Sequence, residues 1–76
     1  MTSHHATLDA SGLLCPLPVL KTAKRLQALA SGEVLRVETD DPAALIDMPH
    51  FCTESGHALL SQEEMGEAII WHIQKK

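Results

Sequence analysis

Two prolines, Pro16 and Pro18, constrain what this chain can fold into more than any other feature. Proline has no backbone N–H and is tolerated in a helix only in the first turn, where N–H groups lack intrahelical partners. The residues after the pair are patterned for a helix. Val19, Ala23, Leu26 and Ala30 step at four, three and four residues as a buried stripe, with Leu20 and Leu29 at its edges. A helix is therefore expected from Pro16 to about Ala30. Lys21, Lys24 and Arg25 fall on another face, and Ser31-Gly32 supplies the stop.

The other elements follow from similar punctuation. Residues 6–10, ATLDA, suit a short strand, and Leu35 and Val37 alternate against Val34, Arg36 and Glu38 in a second strand over Glu33–Thr39. Asp41 before Pro42 reads as an acidic cap followed by a first-turn proline. The helix it opens should break at Pro49, giving two short pieces closed by Gly56. Two strands, His57–Gln62 and Ala68–Gln74, are joined through EEMGE with Gly66 in the turn. In the last strand Ile69, Trp71 and Ile73 share one face, and Ala68, Ile70 and His72 the other.

The order β-α-β-α-β-β predicts an α+β fold, a two-layer sandwich with two helices on one face of a four-stranded mixed sheet. The first β-α-β should be parallel and right-handed. At 76 residues there is room for one core, so a single domain is expected over 6–76 after a flexible, polar start at 1–5. The opening MTSHHATLDA has no apolar h-region, and no apolar run is long enough to cross a membrane. A cytoplasmic location is expected, where a structural disulfide between the two cysteines is disfavoured. The net charge of −4 and the two aromatic residues, Phe51 and Trp71, argue against a direct nucleic-acid partner. Nothing in the pattern demands more than a monomer.

Cys15 falls where the first strand has ended and the first helix begins. Loops leaving the carboxyl ends of strands are where open α/β sheets usually place their chemistry. The positive end of the helix dipole favours thiolate over thiol, and the flanking prolines hold the sulfur there. A reactive Cys15 is expected on these grounds. The competing reading is an inert, buried cysteine among Leu13, Leu14 and Leu17.

Cys15-Pro16-Leu17-Pro18 resembles the Cys-Pro-x-Pro signature of the TusA/SirA-like sulfur-carrier, or sulfurtransferase, proteins. The likeness continues through Leu8-Asp9, Gly12-Leu13, Ser31-Gly32-Glu33, Asp40-Asp41-Pro42, the segment Asp47-Met48-Pro49-His50-Phe51-Cys52, and Gly56-His57. Asp-x-Pro-x-Phe-Cys is most similar to the TusA branch. The resemblance implies that Cys15 accepts a sulfane sulfur as a persulfide, commonly from a cysteine desulfurase, and passes it to a downstream acceptor protein. Pro16, Pro18 and Gly12 would support the motif, and no cofactor beyond the transient persulfide is implied. Relay toward 2-thiouridine in tRNA is the leading expectation. A carrier role in sulfur oxidation or thiosulfate metabolism, and a regulatory interaction module with an incidental thiol, are the alternatives. A free N–H such as that of Leu17 would stabilise the persulfide anion.

The remaining candidates favour plainer roles. Cys52, beside Phe51, reads as a packing cysteine rather than a resolving thiol. His4 and His5 are adjacent, and His50, His57 and His72 lack metal-ligand spacing, so no metal site is expected. Asp40 and Asp47 read as solvated or partner-facing charge. Lys21, Lys24 and Arg25, on the helix that begins just after Cys15, are expected to help dock acidic partners.

Overall fold

The computed structural model describes residues 4–76; residues 1–3 of the expected flexible start lie outside the described residues. The elements are β1 (Ala6–Asp9), α1 (Leu17–Gln27), β2 (Val34–Thr39), α2 (Ala44–Ser55), β3 (Ala58–Met65) and β4 (Ala68–Gln74). They form one four-stranded sheet in the order β1-β2-β4-β3. The β1–β2 pair is parallel, whereas β4 runs antiparallel to both β2 and β3. This is the expected mixed sheet with two helices.

Strand alternation decides which face the helices cover. Leu8 pairs with Val37, Val37 with Trp71, and Leu35 with Ile73, so these side chains point the same way. They form one core with Leu26 of α1 and with Ala44, Met48 and Cys52 of α2, which places both helices on that face. Trp71 is fully buried at its centre, and its indole N–H donates to Thr39 Oγ1 at 2.9 Å. The opposite face carries the row Thr7, Arg36, His72 and Ser61, with His72 Nδ1 and Ser61 Oγ 2.9 Å apart. Of the two apolar faces of β4, the Ile69–Trp71–Ile73 side is therefore the inner one.

Three expectations about the helices are corrected. The innermost stripe of α1 is Pro18, Thr22 and Leu26, with Val19 and Ala23 half-buried beside it and Leu20 exposed. The helix is rotated relative to the purely apolar stripe because Thr22 can be buried at no polar cost. Its hydroxyl donates to the Pro18 carbonyl at 2.8 Å. Helix α1 also ends at Gln27, leaving Ala30 outside it and exposed.

Helix α2 does not break at Pro49; it runs unbroken from Ala44 to Ser55. Pro49 removes one intrahelical N–H donor. However, Ala44, Met48 and Cys52 form a continuous buried stripe along the inner side and hold both halves to the sheet. Pro49 itself is only half-buried. Gly56 ends the helix in the left-handed region at φ 84°, and its N–H donates to the Cys52 carbonyl at 2.9 Å.

The third strand is longer than its sequence suggested, reaching Met65, because the hairpin turn needs only Gly66 and Glu67 before Met65 pairs with Ala68. The ordered chain also begins early. The His5 backbone N–H donates to the Val34 carbonyl at 2.8 Å, and the His5 ring Nδ1 accepts from the Val34 N–H at 2.9 Å. This residue of the expected flexible start is thus tied to the sheet.

Candidate functional site

Parallel pairing of β1 with β2 sets Asp9 beside Glu38, so both strands end at the same edge. The loop from Ala10 to Cys15 leaves one strand and Asp40-Asp41 leaves its neighbour, and the two meet. The Gly12 N–H donates to both oxygens of Asp40 at 2.9 Å, with Gly12 at φ 80°, where a side chain would be strained. The Cys15 N–H donates to Asp41 Oδ2 at 2.8 Å. The other oxygen of Asp41 accepts from the Ala43 N–H at 3.1 Å, so one carboxylate prepares the start of α2 and grips the cysteine loop.

The side chain of Cys15 is exposed, and its thiol donates to Asp47 Oδ2 at 2.7 Å. An open groove of about 340 Å³ lies over this contact. Cys15, Pro16 and Val19 form one wall, and Asp47, His50, Phe51 and Glu54 of α2 the other. The Cys15–Pro16 peptide bond is cis. Helix α1 begins two residues after the sulfur, with Pro16 at its N-cap and Pro18 in its first turn.

An exposed thiol at the mouth of an α/β crossover, gripped by carboxylates of the neighbouring loop and helix, sits on a chain whose residues 6–75 match the family model described as sulfurtransferase TusA. The chain belongs to the TusA sulfurtransferase family. It is 47% identical over 73 residues to the sulfur carrier protein TusA of Pseudomonas entomophila, covering 96% of this chain and 91% of that protein. It is 40% identical over 75 residues to the sulfur carrier protein TusA of Allochromatium vinosum, covering 99% of each. Among solved structures, a SirA-like protein from Desulfitobacterium hafniense superposes with a TM-score of 0.82 at 26% identity. That match covers 92% of this chain and 96% of the other.

In this TusA-family chain the electrostatics of Cys15 reverse the expectation drawn from the helix dipole. The thiol is held above its ordinary range, first by its hydrogen bond to Asp47, then by partial desolvation, then by the negative charges of Asp47 and Asp41. Two features of the helix start explain why the dipole does not win. Pro16 and Pro18 fix the beginning of α1 but delete two of the N–H groups an anion would use. The Leu17 N–H, expected to be free, donates to the Leu14 carbonyl at 2.9 Å. The prolines position the sulfur without activating it.

The other sequence candidates divide clearly. Cys52 is buried in the core, and burial pushes its thiol upward, as suits a packing residue. Lys21, Lys24 and Arg25 are exposed on α1, and among the described residues none of them is salt-bridged. His50 lies in the groove, with Nε2 3.4 Å from Glu54 Oε1 in an exposed pair of little energetic weight. His57 and His72 sit elsewhere on β3's approach and on β4. Among the described residues no three His, Cys, Asp or Glu side chains converge as a metal site, and no helix is long and apolar enough to cross a membrane.

Sequence reasoning missed the joint role of Asp40, Asp41 and Asp47. A signal for the first two existed: a parallel β-α-β unit brings the residues after its two strands to one edge, so Asp40-Asp41 had to face the cysteine loop. Asp47 could be found only once the rotation of α2 was known.

Proposed function

We propose that this protein is a cytoplasmic sulfur carrier that takes up sulfane sulfur as a persulfide on Cys15 and hands it to an acceptor protein. The donor is a cysteine desulfurase or another persulfide-bearing protein. The observation that carries the reading is the exposed Cys15 thiol on an open groove, in a chain similar over nearly its whole length to sulfur carrier proteins. An open groove suits a carrier, because each partner supplies the rest of the reacting site. The thiol attacks the terminal sulfur of the donor persulfide, and the donor leaves as its own thiol. The reverse step, on the next cysteine in the relay, discharges the carrier. We assign the relay to 2-thiouridine formation in tRNA, with this acidic chain acting upstream of the RNA. Transfer in sulfur oxidation uses the same chemistry and differs only in the acceptor.

Incubation with a cysteine desulfurase and cysteine, followed by intact-mass measurement, tests the assignment. The wild type and Cys52→Ala should each gain the mass of one sulfur, removable by a reducing agent, and Cys15→Ser should gain none. Loading that persists in Cys15→Ser overturns the assignment.

The exposed surface of α1 supports a docking role for its cations. Leu17, Leu20, Lys21 and Lys24 recur at helical spacing on an outward face, with Leu17 and Leu20 45% and 57% exposed, and Arg25 follows one turn after Lys21. An acidic donor surface would meet the basic end while its apolar rim covers the leucines beside Cys15. Reversing Lys24 and Arg25 to glutamate should slow desulfurase-dependent loading about tenfold at low salt, with the gap closing as salt rises. Unchanged, salt-insensitive loading would remove these residues from the docking surface.

A further inference from the structure

Asp47 is unusual among the groups around the sulfur because it touches the reacting atom itself. The charged and titratable groups around Sγ are Asp47, His50 and Glu54 from α2, with Asp41 gripping the loop's backbone, while α1 contributes the apolar Val19. Among the described residues no lysine or arginine lines the groove. The thiol therefore has a carboxylate to hold its proton and, from its own chain, no lysine or arginine to release it.

We propose that Asp47 is the positioning residue that reserves Cys15 for donors presenting a cationic group: its carboxylate holds the thiol across the groove until a lysine, arginine or protonated histidine of the donor pairs with it. This rests on the sulfur-carrier reading and adds a selection rule to it. In the empty carrier the Sγ–H bond is kept intact by the 2.7 Å hydrogen bond, so small electrophiles and oxidants meet a thiol rather than a thiolate. When the donor's cation pairs with Asp47, the carboxylate stops competing for the sulfur's proton. That proton passes to solvent, and Sγ attacks the donor's terminal sulfur. One S–S bond forms as the donor's breaks, and the departing thiolate takes up a proton. No external oxidant or reductant is required.

The test uses Cys52→Ala protein, in which Cys15 is the single thiol, with and without Asp47→Asn. Iodoacetamide alkylation is followed by mass across pH 6–10 beside free cysteine. The wild-type profile should lie at higher pH than that of free cysteine. Asp47→Asn should move it down and raise the rate at pH 7 roughly three- to tenfold, while Asp47→Glu, which keeps the charge, stays near wild type. Loading from persulfide-bearing cysteine desulfurase should be no faster in Asp47→Asn than in wild type, because the donor's cation has lost its partner. A wild-type profile at or below that of free cysteine overturns the proposal without any variant. So do coincident wild-type and Asp47→Asn profiles, or equal acceleration of alkylation and loading. If Cys15 takes up no sulfur from any donor, the carrier reading fails instead, and the alkylation profiles still decide whether Asp47 restrains the thiol.

Discussion

Replacing Trp71 with alanine should destabilise the fold more than any other single truncation in its core. The side chain is fully buried where β2, β4 and both helices meet, and its N–H is satisfied by Thr39. Truncation removes the largest buried apolar surface in the core and strands the Thr39 hydroxyl in the cavity. Such a change costs about 3–5 kcal/mol. A domain of 76 residues has roughly 4–11 kcal/mol of total stability, so a large part of the margin disappears. Urea unfolding followed by far-UV circular dichroism measures this, since the substitution removes the chain's one tryptophan and with it the fluorescence probe. A midpoint within a few tenths molar of wild type would mean that the core does not depend on this residue. Leu35→Ala, which empties a smaller volume beside Ile73, should give a lesser but clear loss and keep the tryptophan as a reporter.

The legibility of this fold tracks how local each determinant is. Element order could be read because glycine and proline end or begin elements through their own backbone geometry. Gly56 closes α2 and Gly66 turns the hairpin where the pattern placed them. Element length was less legible. Pro49 breaks an isolated helix, but the buried stripe of Ala44, Met48 and Cys52 carries α2 past it, and that stripe has meaning only against a sheet. Thr22 was overlooked for a similar reason: a polar residue in a core is recognisable only when its partner, the Pro18 carbonyl, is known.

At the site the contrast is sharper. Cys15 was singled out as a candidate by its place between strand and helix, a local fact. Its acidity was inferred from another local fact, the helix dipole, and that inference had the wrong sign. The groups that set it, Asp47 and Asp41, are 32 and 26 residues away. Electrostatics at a thiol sum over everything within a few ångströms, whatever its separation along the chain. A carboxylate in direct hydrogen-bond contact outweighs a partial helix charge whose nearest donors are missing or already used.

Asp41→Ala should cost about 2–3 kcal/mol and loosen the cysteine loop in particular. One carboxylate accepts two backbone hydrogen bonds from distant parts of the chain, the Cys15 N–H on Oδ2 and the Ala43 N–H on Oδ1. Hydrogen bonds to charged acceptors contribute about 1.5–3 kcal/mol each, and solvent at this half-buried residue reduces the pair below their sum. Asparagine separates the two roles. Its single carbonyl oxygen can still receive the Ala43 N–H, but its amide nitrogen cannot accept from Cys15. Asp41→Asn should therefore cost about half as much as alanine, with faster amide exchange concentrated at Cys15 and little change at Ala43. Its effect on the sulfur follows from the same geometry. Once the loop is released, the thiol is no longer held toward Asp47, and alkylation near neutral pH should accelerate although Asp47 itself is intact. If exchange at Cys15 and its alkylation rate both match wild type while stability falls, Asp41 serves only the start of α2, and the grip of one loop on the other plays no part in presenting the sulfur.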